Sequence, residues 1–196
     1  MPTVHDIEQA IFEWAPRESA MPGDNVGHLV GEPNREVSKV LVALDIVPDV
    51  VAEAVDGGYD LIVSHHPVMN CTWLPVQTVR SDNQQGGMLI DMIRANISAI
   101  CMHTNLDAAV GGVNDVLAGC LDLENVCVIE GGEGVVRAGT LQGEMPLQSF
   151  LGHVKSRINP NGIRFVDGGK PVRCVAVGGG ACGDFEDDVI AAGCDT

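Results

Sequence analysis

An apolar run that stops on two adjacent histidines and a proline, Leu61-Ile62-Val63-Ser64-His65-His66-Pro67, does most to restrict how this chain can fold. Neighbouring side chains inside a strand point to opposite faces, so a strand running through both histidines would separate them. At a strand's carboxyl end the backbone can turn and bring both to one place. Pro67 supports such an end, because the residue before a proline is kept out of the helical region. The run therefore predicts a strand over 60–64 that delivers two imidazoles to its carboxyl end. A second run, Ile97 to Met102, stops on His103-Thr104-Asn105-Leu106-Asp107, and a third, Val37 to Leu44, stops on Asp45. Both read as buried strands.

Helical spacing fills the gaps between these runs. Pro48 to Val55 reads as a helix with proline tolerated in its first turn, closed by Gly57-Gly58. Met88 to Ala95 and Val113 to Leu121 read as two more, and Val4 to Trp14 as an N-terminal helix capped by Thr3 and ended by Pro16. Asp24 to Gly31 reads as a turn entering a short strand. Strand–helix–strand repetition implies parallel pairing, and open sheets of this kind bind ligands beyond the carboxyl ends of their strands. Asp45, His65, His66, His103 and Asp107 all fall there. The expected fold class is α/β, a layered sheet with largely parallel strands and helices on both faces. The glycine-rich break Glu130–Gly134 suggests two parts, a metal-site α/β domain over 1–130 and a smaller α/β segment over 131–196. In the second part Pro146 to Ile158 reads as a helix, Val172 to Val177 as a strand and Phe185 to Ala192 as a helix. The chain stops at Thr196, where a further strand is expected, so this segment is read as incomplete, its C-terminal portion truncated.

Charge and cysteine usage exclude several function classes. A formal charge of −16 over 196 residues argues against a nucleic-acid partner, which needs a basic face to neutralise phosphates, and against an anionic membrane surface. No apolar run is long enough to span a bilayer, and the first residues lack the basic start and apolar middle of a signal peptide. Seven cysteines, none in a C-x-x-C pair, read as reduced thiols of a cytoplasmic protein.

The polar clusters carry the chemistry. A lone strand-end histidine is most simply bonded to backbone. Two adjacent ones after a buried strand, with a carboxylate at Asp107, point to a divalent metal: imidazole plus carboxylate suits zinc, iron, manganese or nickel. His103 is read as a proton shuttle or a group supporting the ligands ahead of a direct ligand, and so as the catalytic candidate. Asn105 is expected to bond backbone. Asp45 has two readings, a partner that fixes an imidazole tautomer and a helix N-cap. Asn25 and Gly27 read as turn residues. Gly178, Gly180 and Gly183 fit G-x-G-x-x-G after a strand, but the acidic residue expected one strand later would lie past Thr196. Ser64 lacks the G-x-S-x-G setting of a hydrolase nucleophile.

Together, Asp24-Asn25-Val26-Gly27 with Gly31, Asp60 to Pro67, His103-Thr-Asn-Leu-Asp107, Gly111-Gly-Val-Asn-Asp115 and Gly178 to Gly180 resemble the NIF-three-like dinuclear-metal proteins, often named GTP cyclohydrolase I type 2 homologues. The segments occur in the family's order over nearly the whole chain. The resemblance implies two divalent metal ions per subunit, with His65, His66 and Asp107 as ligands, and a ring-shaped homohexamer. It also implies a further His and Glu near the family's C-terminus, which have no counterpart here. The expectation is a metal-dependent hydrolase acting on a nucleotide-like small molecule. The alternative is a non-enzymatic metal-binding protein serving as chaperone, store or regulator.

Overall fold

The computed structural model describes residues 1–69 and 78–196, so Cys71 lies outside the described residues. The chain divides into two compact units, Met1–Leu106 and Asp107–Thr196.

The first unit is built on a four-stranded sheet of β1 (Gly27–Val30), β2 (Val40–Ala43), β3 (Leu61–Ser64) and β4 (Ser98–Cys101), in the order β1-β4-β3-β2. β2, β3 and β4 are parallel and in register, with Ala43 beside Ser64 and Ser64 beside Cys101; β1 runs antiparallel to β4. Three carboxyl ends therefore finish level, as the repeated strand–helix pattern predicts. The crossovers are α2 (Pro48–Asp56) and α3 (Gln84–Arg94), and α1 (Val4–Trp14) precedes β1. Thr3 caps α1 through a reciprocal pair: its hydroxyl accepts from the Asp6 N–H while its own N–H donates to the Asp6 carboxylate.

Val51 and Ala54 of α2 pack with Leu89 and Met92 of α3 over Ile62 and Ala99 of the sheet. Burial of each large aliphatic side chain is worth about 1.5–3 kcal/mol. Leu61, Ser98 and Ile100, on the alternate face, are also buried, which is why the two central strands read as continuous apolar runs. β2 differs from its sequence reading. It is the sheet edge, and Val40 and Val42 are 40% and 77% exposed. α3 also begins earlier than its apolar spacing suggests. Asn83 caps it by accepting from the Gly86 N–H, and glycine is required at 86 because a Cβ there would sit 2.2 Å from the Arg80 carbonyl oxygen.

The second unit holds an antiparallel sheet of β5 (Glu124–Val128), β6 (Arg137–Met145) and β7 (Val172–Val177), in that order. A short helix, α4 (Thr104–Ala108), carries the chain from one unit into the other; α5 (Val113–Cys120), α6 (Leu147–Ile158) and α7 (Glu186–Ala191) follow. Ala118, Leu121, Phe150, Val172 and Val175 form its core. The stretch Glu130–Gly134 lies in the turn between β5 and β6. Among the described residues, no helix is long and apolar enough to cross a membrane.

Candidate metal centre

Strand pairing delivers the two adjacent histidines. The His65 N–H donates to the Ala43 carbonyl as the last bond of the ladder, and the His66 N–H also turns to this side, donating to the Leu44 carbonyl where a regular strand would point it the other way. The backbone bends at this point, and the Ser64 hydroxyl donates to the His66 carbonyl across the bend. The strict alternation of a strand is thereby broken. The two rings lie 5.0 Å apart, centroid to centroid, and His103, just past the end of β4, lies 5.1 Å from His65 and 5.5 Å from His66. One ligand nitrogen from each of the three lies within 4.8 Å of the others.

Each ring is oriented by an oxygen. Nδ1 of His65 donates to the Met102 carbonyl at 2.9 Å, Nδ1 of His66 to Asp45 Oδ1 at 2.6 Å, and Nδ1 of His103 to Asp24 Oδ2 at 2.8 Å. A carbonyl or carboxylate can only accept, so each Nδ1 carries the proton and each neutral ring has its lone pair on Nε2. This oxygen–Nδ1–H arrangement is the one that orients imidazole ligands in metal sites. Zinc–nitrogen bonds of 2.0–2.1 Å in a tetrahedral site place ligand nitrogens about 3.3 Å apart, so small rotations of the His65 and His66 rings suffice to bring both onto one ion with His103 beside it. The donor set fits a divalent cation.

Asp24 is the most firmly held of the acceptors. Burial pushes its carboxyl up, but hydrogen bonds from His103 and Thr104 outweigh that and bring it down to about 2. Oδ2 accepts the Thr104 hydroxyl at 2.6 Å as well as His103, while the Asn25 N–H donates to Oδ1. Asn25 reaches further, its amide donating to the Met69 carbonyl at 2.7 Å, so it tethers the chain beyond Pro67 instead of merely shaping a turn. Gly27 is a conformational requirement: its φ is +104°, and a Cβ would lie 2.1 Å from the Arg17 guanidinium. Asn105 is buried and donates to the Ala15 carbonyl, as expected of a backbone-bonding residue.

Of the two readings of Asp45, the geometry supports the tautomer partner. Val47, not Asp45, occupies the N-cap of α2. The partnership of Asp24 with His103 was not read from the sequence. Its signal is thin, an aspartate ahead of a glycine turn some 80 residues from its partner. The Met102 carbonyl has no sequence signal at all.

Asp107 is the first residue of the second unit, buried, on α4. Its main chain is clamped within that unit. The buried Asn114 donates from its amide to the Asp107 carbonyl and accepts the Gly179 N–H at 2.7 Å. The Arg137 guanidinium, 3% exposed, donates to the carbonyls of Ala108 (2.9 Å), Ala109 (3.3 Å) and Gly134 (2.6 Å) and pairs with Asp115. Asp115 in turn accepts the Gly111 N–H, so the Gly111–Asp115 motif serves to hold the Asp107 loop. The glycine string has a local explanation. A Cβ on Gly178 would lie 2.6 Å from the Cys182 sulfur, and Gly180 has a φ of +76°.

The sequence profile of the family described as Duf34/NIF3 (NGG1p interacting factor 3) matches residues 2–196. A Streptomyces coelicolor protein named GTP cyclohydrolase 1 type 2 homolog is 37% identical over 205 aligned residues, covering 100% of this chain and 71% of that protein. A Listeria monocytogenes protein of the same name is 41% identical over 116 residues, which is 59% of this chain and 30% of the relative's length. Among solved structures, a Staphylococcus aureus hypothetical protein superposes with a TM-score of 0.89 at 27% identity, over 98% of this chain and 77% of its own. A Bacillus cereus protein related to NIF3 also gives 0.89, at 23% identity over 100% and 81%, a likeness of fold.

Proposed function

We propose that this chain, which belongs to the Duf34/NIF3 family, binds divalent metal at the carboxyl ends of β3 and β4 and serves as a metal-dependent hydrolase of a nucleotide-like small molecule. The observation that carries the reading is the set of three converging imidazoles, each with Nδ1 donating to an oxygen. His65 and His66 would hold the metal through Nε2, with the Asp107 carboxylate as a third ligand. Two ions per subunit, of zinc, iron, manganese or nickel, are the family expectation. A divalent cation held there supplies an activated water and polarises the group under attack. His103 is the proton carrier: with Nδ1–H donated to Asp24, its Nε2 can accept a proton. For a purine nucleotide the attack would fall on the imidazole ring of the base. The names of the relatives support that substrate class. A homohexameric ring follows from the family resemblance, and the exposed edge strand β2 favours self-association. The six thiols among the described residues favour a cytoplasmic setting.

The test separates ligand from proton carrier. His65→Ala/His66→Ala should lose bound metal by elemental analysis while keeping its circular dichroism. His103→Ala should keep metal and lose turnover of GTP. Unchanged metal in the double variant sinks the site, and loss of metal in His103→Ala makes that residue a ligand. A wild type that binds metal, yet turns over no more nucleotide when loaded than when stripped by chelator, leaves the non-enzymatic reading as chaperone, store or regulator.

A further inference from the structure

The segment after α7 is fastened to the outer edge of β7. The Asp195 N–H donates to the Cys174 carbonyl at 2.8 Å, and the Ala176 N–H donates to the Thr196 carbonyl at 2.8 Å. The Asp195 carboxylate accepts the backbone N–H groups of Arg173 (3.0 Å) and Cys174 (2.9 Å) and pairs with Lys170. These bonds fix the backbone on both sides of a thiol pair. The sulfurs of Cys174 and Cys194, 20 positions apart in sequence, lie 2.9 Å from each other. A disulfide has its sulfurs about 2.05 Å apart, so closure needs a movement of less than about 1 Å. Both residues are half-buried, which leaves the pair open to a small reagent.

We propose that Cys174 and Cys194 are a reversible modification site, forming an intramolecular disulfide by exchange with a low-molecular-weight disulfide and reopening in excess thiol. In the first step the Cys174 thiolate attacks one sulfur of the small disulfide, forming a mixed disulfide and releasing one small thiol. In the second, the Cys194 sulfur attacks the Cys174 sulfur and expels the second small thiol. Two protein protons end on the two released thiols, two cysteines are oxidised, and one small disulfide is reduced. Burial and the hydrogen bond with Cys174 push the Cys194 thiol up to about 12, and the bridge that results is the same whichever of the two sulfurs opens the exchange. The closed bridge ties α7 and the glycine string, both lying between the two cysteines, to β7. The inference is independent of the metal centre.

Oxidised glutathione on the whole protein is the probe. The expected product is a chain lighter by two hydrogens, with a Cys174–Cys194 bond in non-reducing peptide mapping. Cleavage at Glu186 separates Cys194 from Cys174 and Cys182, and fragmentation distinguishes those two. Dithiothreitol should reverse the change, and Cys194→Ser should stop at one glutathionyl adduct on Cys174. Stable glutathionyl adducts on wild-type Cys174 or Cys194 without the internal bond overturn the proposal, as does a bond from Cys194 to Cys182 or Cys127. The wild-type map decides even where the variant fails to fold.

Discussion

Removing the carboxylate of Asp45 should weaken metal binding far more than it weakens the fold. The Asp45 and His66 side chains are 50% and 39% exposed, so water screens the pair and its contribution to folding is about 0–1 kcal/mol. The same contact fixes which nitrogen of His66 carries the proton. Deleting such a partner of a metal-binding imidazole costs about 10–100-fold in affinity, or about 1.4–2.7 kcal/mol. Asp45→Ala should therefore bind zinc about 10–100-fold more weakly in competition with a chromophoric chelator. Its unfolding free energy in urea, measured with EDTA so that bound metal does not add to it, should change by less than about 1 kcal/mol. Asp24 offers no such separation, because its 4%-exposed carboxylate also holds Thr104, and its loss should disturb the fold as well. Asp45→Ala combined with His66→Ala closes the cycle: if Asp45 acts through His66, the double variant binds no more weakly than His66→Ala alone. An affinity within about twofold of wild type refutes the argument, since a partner of this kind is worth at least about tenfold. A further loss in the double variant refutes the route through His66.

Two other expectations concern the fold. Arg137→Met removes the donor that serves three carbonyls and Asp115 in the Asp107 loop, and should cost about 3–5 kcal/mol; a loss below about 1 kcal/mol in denaturant unfolding would show that the clamp is dispensable. The Asp60 carboxyl is held well below the usual carboxylate range by the Ser38 N–H and hydroxyl, with Arg35 and the Lys39 N–H adding to them. A depressed folded-state value means that this stabilisation is complete above the unfolded value of about 3.9 and is lost as pH falls through the folded one. Asp60→Asn should thus be about 2 kcal/mol less stable than wild type at neutral pH, with the gap narrowing on acidification below about pH 4; a gap independent of pH would refute the assignment.

The parts of the centre that the sequence revealed are those that fold as buried parallel strands. Leu61 to Ser64 and Ser98 to Cys101 are apolar on both faces, so their ends, and the histidines after them, stand out without any knowledge of contacts. The partners that orient the rings are a different matter. Asp45 sits as naturally before Pro48 in a capping role as beside His66, and only the bend after β3 decides between them. β5 and β6 went unread for a related reason. All five residues of β5 are exposed, and β6 carries Gly139 and Gly143 in place of a continuous apolar run. Gly139 is needed where a Cβ would lie 2.9 Å from that of Leu123, a constraint set by a neighbour remote from any local pattern.

The level ends of β2, β3 and β4 make the imidazole set a detector of strand alignment. The oxygens that orient His65, His66 and His103 belong to Met102, Asp45 and Asp24, on three separate stretches of chain. A slip of β3 by a single residue would turn every one of its side chains to the opposite face and separate His65 and His66 from all of these acceptors. Misaligned chains would then lack the tautomers that present Nε2. A cation that binds through those nitrogens would stabilise the aligned sheet alone, so metal supply during folding becomes a selection among alternative pairings of the same strands.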